Sequence, residues 1–124
     1  MVRSVLPMVL AAAMIPLLCP LACAQADPNA PHLTCEVGPV EKTFGSTLWL
    51  AYSCDDNRSL ILVSAPGNPA MPFVYSLIAK GKTYQVSGEG TGNKAASAAA
   101  WAEISRLSEQ AIRSLVAETR RKGR

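Results

Sequence analysis

Cys35 and Cys54 have the strongest claim on chemistry, being the cysteines that remain once an N-terminal leader holding Cys19 and Cys23 is set aside. In an oxidising compartment an even pair of thiols reads as one disulfide. Closing a loop of that length contributes about 3 kcal/mol in the chain-entropy model. A metal centre would need more ligands than these two sulfurs and His32, the sole histidine, which lies in the lead-in Asp27 to His32. No metal is expected. The same placement argues against a Ser–His–acid arrangement, because an imidazole in a loose lead-in is not held in place.

Other polar groups read as structure. Asp55-Asp56-Asn57 offers oxygens to a calcium ion but lacks the further ligands such a site takes, and these are favoured turn residues. Gly88-Glu89-Gly90-Thr91-Gly92-Asn93-Lys94 has the composition of a phosphate cradle ahead of a helix. It lacks the Gly-Lys-Ser/Thr of a P-loop, and Asn93 stands where the dinucleotide fingerprint needs its third glycine. A joint between strand and helix is the expectation there. A carboxylate pair such as Asp55 with Glu89 is not specified by any spacing. No catalytic residue and no cofactor is expected.

The segment Ala65-Pro66-Gly67-Asn68-Pro69-Ala70-Met71-Pro72 joins two strongly apolar stretches. Three prolines make it rigid, and rigid loops lose little entropy on binding. Gly67, Asn68, Pro69 and Met71 are the expected partner-binding residues, since an exposed methionine adapts to varied surfaces. The competing reading folds Met71 onto the core of its own domain. A pocket between sheet and helix near Glu89 and Asn93 is the second candidate, and would serve a small hydrolase or ligand carrier.

The compartment comes from the N-terminus. Arg3 is followed by no charge until Asp27, and the apolar stretch between them ends in Leu21-Ala22-Cys23-Ala24-Gln25-Ala26. That is the layout of a secretory signal peptide over 1–24, cut after Ala24 or Ala26. Residues 25–32 then form a flexible lead-in, 33–119 a single domain and 120–124 a basic tail. The expected location is the periplasm or the medium. Membrane attachment requires either acylation of Cys23 or retention of the leader as an anchor.

The chain has 12 Lys and Arg against 9 Asp and Glu, but Arg120, Arg121, Lys122 and Arg124 crowd into its end. The body between leader and tail is mildly acidic. It does not present the spread of cations that nucleic acid requires, so no nucleic-acid partner is expected. The tail suits a helix C-terminus.

Hydrophobic patterning predicts the scaffold. Leu33–Val37 alternates as a strand ended by Gly38-Pro39. Thr47–Cys54 is the next, with Leu48, Leu50 and Tyr52 on the inward face and Trp49 and Ala51 on the other. Leu60–Val63, apolar on both faces, has the mark of a central strand. Phe73–Ala79 and Thr83–Ser87 follow, joined by a tight turn at Lys80-Gly81-Lys82. Beyond the Gly88–Gly92 joint, Asn93 caps a helix whose stripe holds Trp101, Ile104, Leu107, Ala111, Ile112 and Leu115. It is one long helix, or two if Ser108 caps a second with Leu107 and Ile112 as a staple. Strands first and helix last imply an α+β fold, an antiparallel meander of four or five strands with the helix on one face. Leu48, Leu50, Leu62, Phe73, Tyr75, Tyr84 and Val86 are the expected inward residues, with Trp101 as their anchor.

Tyr52-Ser53-Cys54-Asp55 followed by Leu60-x-Leu62-Val63 resembles the opening of C-type lysozyme inhibitors, small exported β proteins with one disulfide. The likeness spans about a dozen residues. After Ser87-Gly88-Glu89-Gly90 this chain departs from that family, running into a helix where the inhibitors continue in strands. The functional expectation therefore rests on the residues themselves. It is a small exported binding module of the cell envelope that recognises another protein, with a pocket enzyme or carrier, or a structural envelope protein, as the alternatives.

Overall fold

The computed structural model describes residues 32–123. The leader with its cleavage sites and Cys23, the lead-in through Pro31, and Arg124 lie outside the described residues. Five strands run β1 (Val37–Phe44), β2 (Thr47–Ser53), β3 (Leu60–Ser64), β4 (Phe73–Lys80) and β5 (Thr83–Gly90), followed by α1 (Lys94–Ile104) and α2 (Glu109–Lys122). Each strand pairs antiparallel with the next, in the order β1-β2-β3-β4-β5. The expected α+β meander is what forms, and both helices pack on one face of it.

Turn chemistry sets the register. Gly45 and Ser46 both have positive φ, as a two-residue hairpin with the strands' own twist requires. A side chain at Gly45 would also meet the α1 backbone, with a Cβ 2.4 Å from Ala100 N. Between β4 and β5, Gly81 alone takes positive φ, the pattern of a glycine-first turn. Asp56 fixes the β2–β3 turn. Its Oδ1 accepts from the backbone N–H groups of Arg58 (3.0 Å) and Ser59 (2.8 Å), and its Oδ2 from Ser59 Oγ. Burial pulls this carboxyl upward, but those hydrogen bonds and the Arg58 charge outweigh it and hold the group below its ordinary value.

The helical segment is two helices. Asn93 accepts from Ala96 N at 3.0 Å and Ser108 from Ala111 N at 3.1 Å, so each helix begins at a side-chain cap. Glu109 and Arg113 make an i,i+4 pair at 3.4 Å. Arg120, Arg121 and Lys122 form the last turn of α2 instead of a separate tail, where cations complement the exposed carbonyls. Ile112, Leu115, Val116 and Thr119 dock α2 on the sheet. Thr119 Oγ1 donates to Val116 O at 2.6 Å and accepts from Ser53 Oγ at 2.7 Å. Lys42 reaches Glu118 at 2.7 Å.

Several sequence expectations need correction. Leu33–Val37 is not a strand. Residues 32–36 lie ahead of β1, and β1 starts at Val37 and carries Gly38-Pro39 through an irregularity between Val37 and Val40. An edge strand tolerates proline at such a bulge, so this pair does not end the strand. The Cys35–Cys54 disulfide forms. It fastens the segment before β1 to the end of β2, beside Asp55 N donating to Thr34 O at 2.9 Å. β5 continues to Gly90, three residues into the expected joint.

The largest correction concerns β2. Trp49 and Ala51 are fully buried against the helices, whereas Leu48 is 38 % exposed and Leu50 and Tyr52 are half-buried on the opposite face. Leu62 and Tyr75 are core as expected, joined by Leu60 and Leu77, while Phe73, Tyr84 and Val86 pack at its margin. Trp101 is not the anchor, being 39 % exposed. Trp49 holds that place, with Phe73 edge-on at 6.4 Å and Tyr75 at 5.3 Å, and its Nε1 donates to Thr47 Oγ1 at 3.0 Å.

Candidate functional site

An antiparallel sheet with helices on one face turns every second residue of each strand the other way. Here the outward residues of the middle strands are Leu48, Leu50 and Tyr52 of β2, Ile61 and Val63 of β3, and Val74, Ser76 and Ile78 of β4, apolar but for Ser76. The register aligns them across strands. Leu50 lies opposite Val63, Val63 opposite Val74, and Tyr52 opposite Ile61. At the two edges the same band ends in carboxylates, with Glu41 opposite Leu50 and Glu89 opposite Val74. The outer face is thus apolar at its centre and acidic at both sides. Neither Glu41 nor Glu89 belongs to an ion pair of the described residues.

The Ala65–Pro72 loop walls one end of this face. Val63, Met71, Pro72, Phe73, Val74, Glu89 and their neighbours enclose an open groove of about 440 Å³. Met71 stands out into solvent, 52 % exposed, instead of folding onto the core. Gly67 and Pro69 are exposed as well. Asn68 is different. It is buried, its Nδ2 donates to Leu48 O at 2.7 Å and its Oδ1 accepts from Ala70 N at 2.9 Å. Asn68 therefore shapes the loop from inside, and the surface it supports is offered by Met71 and Pro72.

Glu89 and Asn93 do not share a pocket. Glu89 lines the outer groove, whereas the Asn93 side chain caps α1. The space between sheet and helix is a separate groove of about 290 Å³, walled by Phe73, Tyr75, Gly88, Ser97, Ala98 and Trp101. Trp101 stacks on Tyr75 at 5.6 Å, and the Tyr75 hydroxyl donates to Ser97 O at 2.6 Å. Burial raises the Tyr75 phenol above its ordinary value. This groove holds aromatic rings and one buried serine, without a carboxylate.

His32 is exposed. Among the described residues no cluster of three His, Cys, Asp or Glu side chains is placed to hold a metal ion. No helix of the described residues is long and apolar enough to cross a membrane. The disulfide is compatible with an oxidising compartment outside the cytosol. No family model matches the chain, and no similar curated protein or solved structure was found.

The sequence points to Met71 as an exposed loop residue but puts Glu89 on the helix side, and it gives no hint of the sheet face that joins them. Leu60-Ile61-Leu62-Val63 is apolar on both sides, which reads as a strand covered on both. The signal that could have corrected this is the supply of covers. The helices come in one C-terminal run, short enough to cover a single face.

Proposed function

We propose that this is an exported, non-catalytic binding module of the cell envelope that recognises another protein through its outer sheet face. The observation that carries the reading is the band Glu41–Leu50–Val63–Val74–Glu89, continued by Met71 and Pro72. Contiguous apolar surface rimmed by polar groups marks an interaction site on a soluble domain. The rim carboxylates select a partner that is apolar at its centre and basic around it. Export follows from the leader and agrees with the disulfide. The polar groups that could carry chemistry are engaged elsewhere: Asp56 in a turn, Asn93 in a cap, Cys35 and Cys54 in their bond.

Capture from an envelope extract tests this when paired with a variant that changes the face alone. A Leu48→Ser, Val63→Ser, Met71→Ser variant keeps the inner core. The expected result is a single cooperative melt, somewhat below the parent's, and loss of the proteins the parent retains. Equal capture by both would overturn the outer face as the site.

A further inference from the structure

The two edges of the sheet are finished differently. β1 carries Pro39, which has no N–H, together with a register irregularity, and both helices pack against it. Such devices stop another strand from adding. β5 has none of them. It is eight residues long, holds no proline, carries Glu89 as its single charge, and its second half from Ser87 to Gly90 is exposed throughout. At its first end Arg58 covers the turn, donating to Gly81 O at 2.6 Å and accepting from the Tyr84 hydroxyl at 2.9 Å. The open stretch is therefore Val86–Gly90.

Alternation within the ladder says which backbone groups are free. Lys80 and Thr83 flank a two-residue turn and form a hydrogen-bonded pair, so the bonded pairs continue at Gln85, Ser87 and Glu89. The N–H and C=O groups of Tyr84, Val86, Gly88 and Gly90 point away from β4. Only another extended backbone matches that repeat of donors and acceptors. The flanking surface repeats with it. On the helix side, a Cβ at Gly88 would lie 2.4 Å from Tyr75 Cε1, so glycine lets the aromatic rings come flush with the edge and opens the Trp101 groove beside it. On the outer side, Val74, Ser76, Ser87, Gly88 and Glu89 enclose a hollow of about 180 Å³. Consecutive side chains of an added strand would fall alternately into these two places.

We infer that β5 is a docking edge for an extended segment of another exported polypeptide, which adds as a further strand with an apolar side chain beside Trp101 and a Lys or Arg beside Glu89. This rests on the protein-binding reading above and names the partner's form. The strand extends the outer band past Glu89, where opposite charges placed across a ladder attract and like charges repel. Backbone pairing supplies the affinity, and the alternate hollows supply selection.

The test is selection from a displayed library of random peptides on the full-length, disulfide-bonded protein, followed by amide hydrogen exchange with the selected peptide bound. The expected peptides alternate apolar and polar residues and carry a basic residue, and they protect the Val86, Gly88 and Gly90 amides. Val86→Pro removes a donor that β4 does not use, and should weaken binding by roughly tenfold at a temperature where the variant stays folded. Glu89→Lys should turn the selected residue from basic to acidic and keeps the test open should the proline variant fold poorly. Peptides that bind without protecting those amides, or no peptides at all, would overturn the edge. A second copy of this chain pairing at β5, seen as a concentration-dependent dimer lost in Val86→Pro, would overturn the foreign partner. The outer-face variant separates the two proposals: its normal capture with intact β5 protection would remove the face and keep the edge.

Discussion

Leu48 and Trp49 are adjacent in β2 and point to opposite sides of the sheet, so they test the face assignment with one residue of separation. Trp49 is fully buried and touches Phe73 and Tyr75. Truncating it to alanine removes a large ring from the centre of the core, which costs about 3–5 kcal/mol. A domain of this size loses about 4–8 °C in melting temperature per kcal/mol, so the transition should fall by more than about 12 °C. Leu48 is 38 % exposed. Full burial of a leucine side chain is worth about 1.5–3 kcal/mol, and about three-fifths of that is at stake, so Leu48→Ser should cost about 1–2 kcal/mol. Urea denaturation with the disulfide intact measures both, with equal slopes as the check that each variant unfolds in one step. A Leu48→Ser loss as large as that of Trp49→Ala would show that Leu48 lies in the core, and the outer-face argument would fail.

Asn68→Ala should destabilise by about 1–3 kcal/mol, because the buried Ala70 N–H loses its acceptor; a neutral result in thermal melts would return Asn68 to the surface. Thr119→Val should cost a similar amount by leaving the buried Ser53 hydroxyl without its partner, and adding Ser53→Ala should recover part of the loss in a double-mutant cycle. The Asp56 carboxyl is held below its ordinary 3.8, so its contribution to stability is full above that value and is lost as pH falls through the lower folded one. Asp56→Asn should therefore flatten the acid limb of a plot of denaturation midpoint against pH, and an unchanged limb would show that the turn does not depend on the charge.

The elements were largely legible because each is punctuated locally. Asn93 and Ser108 cap helices, Gly81 turns a hairpin, and Asp56 closes a turn with its own side chain, whereas the Gly45 hairpin that ends β1 went unread. What stayed hidden depends on which face the helices choose. In β2 both faces are apolar, and alternation alone cannot say whether Leu48-Leu50-Tyr52 or Trp49-Ala51 points inward. Volume decides it: the helices leave space for the indole of Trp49, which packs against the adjoining rings of Phe73 and Tyr75. Trp101 was misplaced for the related reason that α1 packs through small residues, burying Ser97 and Ala100 and leaving the indole at the rim. Gly38-Pro39 looked like a terminator because its punctuation is the same whether a strand ends or bulges. Met71 and Glu89 were visible as residues, but the surface joining them exists only once five strands are in register.

The most direct test of the outer face as an interface is a photo-crosslinking side chain at position 71 in the full-length, disulfide-bonded protein, compared with one at Gln110 on the exposed surface of α2. A discrete adduct is expected at position 71, with another protein and through a segment rich in apolar and basic residues, and none at position 110. Identical adducts from both positions, or none from position 71 in the organism's own envelope, would contradict that interface.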